Sequence, residues 1–192
     1  PAEVEKEIRA QIERALARGI RPGHLDTHMG ALYSRSEFTE VFLRVAVEYR
    51  IPALVIEMTP RRIKQFRAQG YPIDDELLRI NREYPLVKLD DFRSVPRGED
   101  YEAVRKNFFA LVRSLSPGIT EIIFHPAAPS EGLKRITNSW QQRVWEGRLF
   151  EDSEVRKFFE SEGVLFTNWK EMMRRFEKRS SGGKEREEEG SK

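Results

Sequence analysis

Short apolar runs alternate with longer amphipathic stretches along most of the chain, and this alternation constrains the fold more than any other feature. Residues 3–18 place Val4, Ile8, Ile12, Ala15 and Leu16 on one helical face, with Glu and Arg filling the other, and Gly19 supplies a stop. A short strand is predicted about HLDTH (24–28). Ser36 reads as the cap of a second helix, 37–49, whose buried face holds Phe38, Val41, Phe42, Val45 and Ala46. ALVIE (53–57) is too apolar for a half-exposed strand and reads as a buried parallel one. Helices are predicted over 60–69, opened by Pro60 and ended by Gly70, and over 73–83. PLVKLDDF (85–92) reads as a strand, SVPRGED as a loop, and 101–115 as a helix with Val104, Phe108, Leu111 and Val112 on its apolar face. SPGITEIIFHPAAPS reads as turn, strand and loop. Two helices follow over 139–149 and 152–162, then a last strand at 163–167 and a last helix at 168–178.

This order predicts an α/β fold with mostly parallel strands, as in a barrel or a layered sheet. Five strands are few for an eight-stranded barrel, so the expectation is an incomplete or distorted (β/α) barrel occupying one domain, residues 1–178. Residues 179–192, charged and without a hydrophobe, read as a disordered tail. A length of 192 residues suits one well-buried domain. The 34 basic and 32 acidic side chains leave a net charge of +2, too even to argue for nucleic acid. Arg61-Arg62 and Arg174-Arg175 read as solvated helix faces. No run approaches eighteen apolar residues, so no membrane span is expected. The opening PAEVEKEIRAQ is charged and unlike a secretory signal. The absence of cysteine excludes disulfides and thiolate metal sites and fits a reducing compartment, which makes a cytoplasmic location the expectation.

The chain has three histidines, and all fall at predicted strand ends. In parallel α/β folds, sites form at the C-terminal ends of strands. His24, Asp26 and His28 share a face if the stretch is extended, because side chains repeat every two residues. If the chain bends at Thr27 the two histidines still converge, but Asp26 need not join them. Imidazole and carboxylate suit Zn²⁺, Ni²⁺ or Fe²⁺, and a carboxylate beside a histidine can instead orient its ring. The plainer reading is a polar strand end. His125 leaves the strand EIIF just before Pro126, which turns the chain outward. It is either a hydrogen-bonded loop residue or a free imidazole able to donate a proton.

His24-Leu25-Asp26-Thr27-His28 and Thr120-Glu121-Ile122-Ile123-Phe124-His125-Pro126 resemble two motifs of the YdjC-like carbohydrate deacetylases, which include chitooligosaccharide and hopanoid-associated deacetylases. Pro117-Gly118 and Gly163-Val164 also fit, and the resemblance covers about residues 1–178. It implies a (β/α) barrel, often distorted, and a metal-dependent hydrolase that removes N-acetyl groups from amino sugars. It implies His28 and His24 as metal donors, Asp26 as their support, His125 as the general acid, and a divalent metal, Zn²⁺ or Mg²⁺. The partner it implies is an N-acetylated sugar or oligosaccharide. The family's upstream Asp-Asp-Phe-Gly motif and a further histidine ligand have no counterpart before His24, so the chain resembles the C-terminal part of such an enzyme, and the expectation is that this fragment lacks activity by itself. Met29 and Gly30 stand where further histidines are common. Leu89-Asp90-Asp91-Phe92 imitates the missing motif, but it follows the histidine pair and precedes Arg93. Asp90 and Asp91 therefore do not inherit the base role and stay as residues to test. Open sheet edges would invite a homodimer. The alternative is a non-catalytic binding or scaffold domain derived from the same fold.

Overall fold

The computed structural model describes the backbone of residues 1–189 and the side chains of residues 1–179. The expectation of a disordered tail over 179–192 falls largely outside those side chains. The described residues divide into two units, 1–88 with the segment from 167 onward, and 89–166.

The first unit is built on helices. α1 (Ala2–Ala17) and α2 (Ser36–Glu48) follow their predicted spans closely. Ser36 is not the cap, however: it is the first helical residue, Arg35 precedes it in extended backbone, and no side chain caps this end. Ile12 of α1 and Val45 of α2 pack with Ile51, while Phe42, Leu43 and Ala46 pack with Ala53, Val55, Ile80 and Tyr84. An exposed ion network reinforces the α1–α2 pair. Arg9 and Arg44 both bond Glu5 and Glu48, and Arg44, followed by Arg9, holds the Glu5 carboxyl at about 2. α3 (Pro60–Ala68) and α4 (Asp75–Glu83) begin at Thr59 and Asp74, whose side chains accept from Arg62 and Leu77 N–H. α9 (Trp169–Glu189) contributes the buried residues Trp169, Met172 and Met173.

Two predicted strands of this unit do not form. HLDTH reaches no further than an isolated parallel bridge, Leu25 to Ala53, closed by Leu25 N–H to Pro52 O at 2.8 Å and Leu54 N–H to Leu25 O at 2.9 Å. ALVIE is buried over Ala53, Leu54 and Val55, yet side chains take ladder positions. Ala53 N–H donates to the Tyr84 hydroxyl at 2.7 Å, the Tyr33 hydroxyl donates to Leu54 O, and Asn81 Nδ2 donates to Ile56 O at 3.0 Å. Side chains from α4 and from the turn after His28 thus satisfy backbone groups that a strand would pair with a neighbour.

The second unit contains the sheet of the described residues: β1 (Asp91–Ser94) pairs in parallel with β2 (Thr120–Ile123), Asp91 opposite Thr120 and Ser94 opposite Ile123. The expected strand at 85–92 is therefore displaced toward the polar run DFRS, because the partner strand and not apolarity sets the pairing. The expected strand at 163–167 is unpaired, with Leu165 91% and Phe166 78% exposed. The described residues thus form an α/β structure whose named sheet is one parallel pair of strands with isolated bridge positions outside it, not the five strands expected of an incomplete barrel. α5 (Tyr101–Arg113), α7 (Trp140–Glu151) and α8 (Ser153–Ser161) match their predictions, whereas the short α6 (Glu131–Ile136), capped by Ser130, lies in what reads as loop. Val95, Tyr101, Val104, Phe108, Leu149, Val155 and Phe158 form the core of this unit.

Two predictions follow from these packings. In Tyr84→Phe, the buried Ala53 N–H loses its acceptor, and chemical denaturation should show a loss of about 1–3 kcal/mol. Asp152 caps α8 and accepts from the Tyr101 hydroxyl, from Glu154 N–H and from Arg105 at 2.9 Å. The Tyr101 bond, ahead of those from Glu154 and Arg105, lowers its carboxyl from 3.8 to about 2 against the opposing cost of burial. A carboxyl depressed by folding contributes stability that is present above 3.8 and is lost as the pH falls through about 2. Asp152→Asn should therefore flatten the acid limb of the unfolding midpoint between these pH values.

Candidate active site

The segment 22–30 is anchored in the first unit by its neighbours on either side of the candidate residues. Thr27 is buried, and its Oγ1 accepts from Leu32 N–H at 2.9 Å, closing the 3-10 turn His28–Tyr33. Thr39 of α2 then donates to Leu32 O at 3.0 Å. Met29 and Gly30 both have positive φ, 55° and 70°, so the chain reverses immediately after His28. His28 therefore heads a turn rather than ending a strand.

The ring of His24, half-buried, stacks on Trp169 with centroids 5.1 Å apart and planes 11° apart. Asp26 is exposed, and its Oδ1 accepts from the N–H of Thr27 at 2.7 Å. His28 is exposed. Among the described residues, no three His, Asp or Glu side chains gather in a group that could hold a metal ion. The donors proposed from the sequence, His24 and His28 with Asp26, do not by themselves fit such a group: one ring lies on an indole face and the carboxylate serves its own backbone. Trp169 is buried and has His24 against its face.

In the second unit His125 lies two residues beyond the end of β2, as the sequence indicates. Its ring is 56% exposed, and its backbone N–H donates to Glu146 Oε2 at 2.5 Å. Glu146, on α7, is buried, and its other oxygen accepts from Gln142 Nε2 at 3.0 Å. Two residues on, Ala127 N–H donates to Arg143 O at 3.1 Å. The exit of β2 is thus tied to α7 on both sides of Pro126. Neither Glu146 nor Gln142 stands out in the sequence. They lie four apart on a helix, a spacing that signals only a shared face.

Asp90 and Asp91 have structural partners in the same unit. Asp90 Oδ2 accepts from Ile119 N–H at 2.8 Å. Gly118 has φ 144°, and a Cβ there would lie 2.7 Å from the same oxygen, so the turn into β2 requires glycine twice over. Asp91 is buried, accepts from Phe92 N–H at 2.8 Å and pairs with Arg93 at 2.9 Å. The resemblance of LDDF to a catalytic motif is met here by a turn clamp and a strand-bound ion pair.

A histidine at the mouth of a parallel strand, its backbone N–H held by a buried carboxylate, stands in a chain of α/β fold. The family described as YdjC-like protein matches residues 1–161, and the chain belongs to that family. A carbohydrate deacetylase of Thermus thermophilus is 34% identical over 158 residues, which are 81% of this chain and 54% of that protein. Carbohydrate deacetylases of Thermoanaerobacter pseudethanolicus and Brevibacillus brevis are 26% and 22% identical over 87% and 90% of the chain. The chain spans 54% to 62% of the length of these curated relatives. A crystal structure from Enterococcus faecalis, named for cellobiose-phosphate cleavage, shares the fold with a TM-score of 0.66 at 21% identity, covering 90% of this chain and 61% of that one. No helix among the described residues is long and apolar enough to cross a membrane.

Gly118→Ala should therefore be destabilising by roughly 1–3 kcal/mol in denaturant titration, from its backbone strain and the displaced Asp90 carboxylate. A variant as stable as the parent would show that the turn relaxes freely.

Proposed function

We propose that the chain works in a hydrolase that removes acetyl groups from N-acetylated sugars or oligosaccharides, with His125 as the proton donor. One observation carries the reading: His125 leaves β2 with an exposed ring and a backbone held on α7, in a chain 34% identical to a carbohydrate deacetylase. An amine leaves an acetyl carbon poorly until it is protonated, and a positioned imidazolium supplies that proton. The fixed backbone limits where the ring can travel and leaves its outer face to the substrate.

The distorted (β/α) barrel belongs to the same proposal, supported by the parallel register of β1 with β2 and by the parallel bridge of Leu25 to Ala53. A divalent cation, Zn²⁺ or Mg²⁺, is the cofactor this reading calls for, with His28 and His24 as its proposed donors and Asp26 as their support. Those residues do not complete a metal-holding group among the described ones, so the reading rests on His125 and takes no step through the cation. A homodimer and a cytoplasmic location complete it and rest on the sequence alone. The shortfall of donors favours, as a second reading, a non-catalytic binding or scaffold domain.

The two readings separate in an assay of acetate release from N-acetylglucosamine oligomers, with Zn²⁺ or Mg²⁺ added. Where the chain releases acetate, alone or with the missing family motif supplied, His125→Ala should lower kcat by about 10²–10⁴-fold. Oligomer binding without release would favour the non-catalytic domain, and undiminished release by His125→Ala would remove the assigned role.

A further inference from the structure

Glu146 is more than a loop anchor. Its carboxylate is buried at 6% side-chain exposure, and its two oxygens accept from neutral donors, the Gln142 amide at 3.0 Å and the His125 N–H at 2.5 Å. A carboxylate taken out of water is a costly acceptor for one loop N–H, and a glutamine would serve that purpose without burying a charge. The same Oε2 lies 4.0 Å from His125 Nδ1. That distance is beyond a hydrogen bond but within reach of a small rotation of an exposed ring.

We infer that Glu146 is the positioning residue of His125: its buried carboxylate draws the ring hydrogen to Nδ1 and directs Nε2 outward. The logic is electrostatic. A negative charge facing one ring nitrogen favours the tautomer that presents N–H to it. The surroundings hold the carboxylate in place for this task. Gln142 bonds the other oxygen and also donates to Pro96 O at 3.3 Å. The imidazole is thereby presented by its backbone and oriented by its neighbour, both through one side chain.

The inference rests on the assignment of His125 as proton donor but is read without it. The chain has three histidines, so ¹⁵N-labelled imidazole resonances can be assigned by single substitutions. In the parent chain, at a pH where the ring is neutral, His125 should show a protonated Nδ1 and an unprotonated Nε2. In Glu146→Gln the amide oxygen still accepts from the His125 N–H and preserves the loop. The His125 signals should then shift toward the Nε2–H form, while those of His24 and His28 stay in place. Acetate release, where measured, should lose its turnover with little change in KM. A parent His125 found mainly as Nε2–H would overturn the inference without any variant. So would a folded Glu146→Gln variant with unmoved His125 signals. A chain that releases no acetate but shows the predicted tautomer and its loss would retire the deacetylase reading and leave the pair standing.

Discussion

A buried main-chain amide or carbonyl must find a partner, and the run from Ile51 to Ile56 meets that demand in an unusual way. Part of its pairing comes from a parallel bridge to Leu25, and part from the side chains of Tyr33, Asn81 and Tyr84. Asn81 and Tyr84 are buried and Tyr33 half-buried beside the run they serve. Burial pushes the Tyr84 hydroxyl up to about 12 and raises that of Tyr33 beyond the usual phenol range. The cost of desolvating two phenols is offset by the bonds they make, and α4 and the turn after His28 are thereby fixed to one segment. Leu25 is fixed with them, which is why the residues on either side of it, His24 and Asp26, hang from a stationary point.

The second unit meets the same demand with a ladder. β1 and β2 pair in parallel, and Val95 N–H extends the pairing to Ile123 O at 3.3 Å. The turn that delivers β2 is held by Asp90 and made possible by Gly118. Beyond the strand, α7 takes over. Its carboxylate and one of its carbonyls receive the N–H groups of His125 and Ala127. The exit of β2 is therefore ordered by hydrogen bonds, while the imidazole itself stays in solvent. Rigid backbone with an accessible ring is the combination that acid–base work asks for.

The helices were legible because their signals are local. Thr59, Asp74, Asp100 and Asp152 stand at the starts of α3, α4, α5 and α8, and each accepts from a first-turn N–H. Apolar periodicity marks the buried faces of α1, α2 and α5. The strands were less legible. β1 is the polar DFRS, whereas the apolar GVLF pairs with nothing and leaves Leu165 and Phe166 in solvent. Whether an extended segment becomes a strand depends on what lies beside it, and that is non-local information. The site divides in the same way. His125 could be placed at a strand exit from EIIF and Pro126, but Glu146 is one polar residue among several on α7.

The sequence by itself determined the helix positions, the α/β character, and the family to which the HLDTH and TEIIFHP motifs belong, since each depends on residue type and spacing along the chain. The tertiary structure decided which extended runs pair, that His24 lies on Trp169, that Asp90 clamps a turn, and that a buried carboxylate faces His125. These outcomes bring together residues as far as 145 positions apart in the chain. No periodicity records them, because they are settled by which polar groups lose water and find one another on folding.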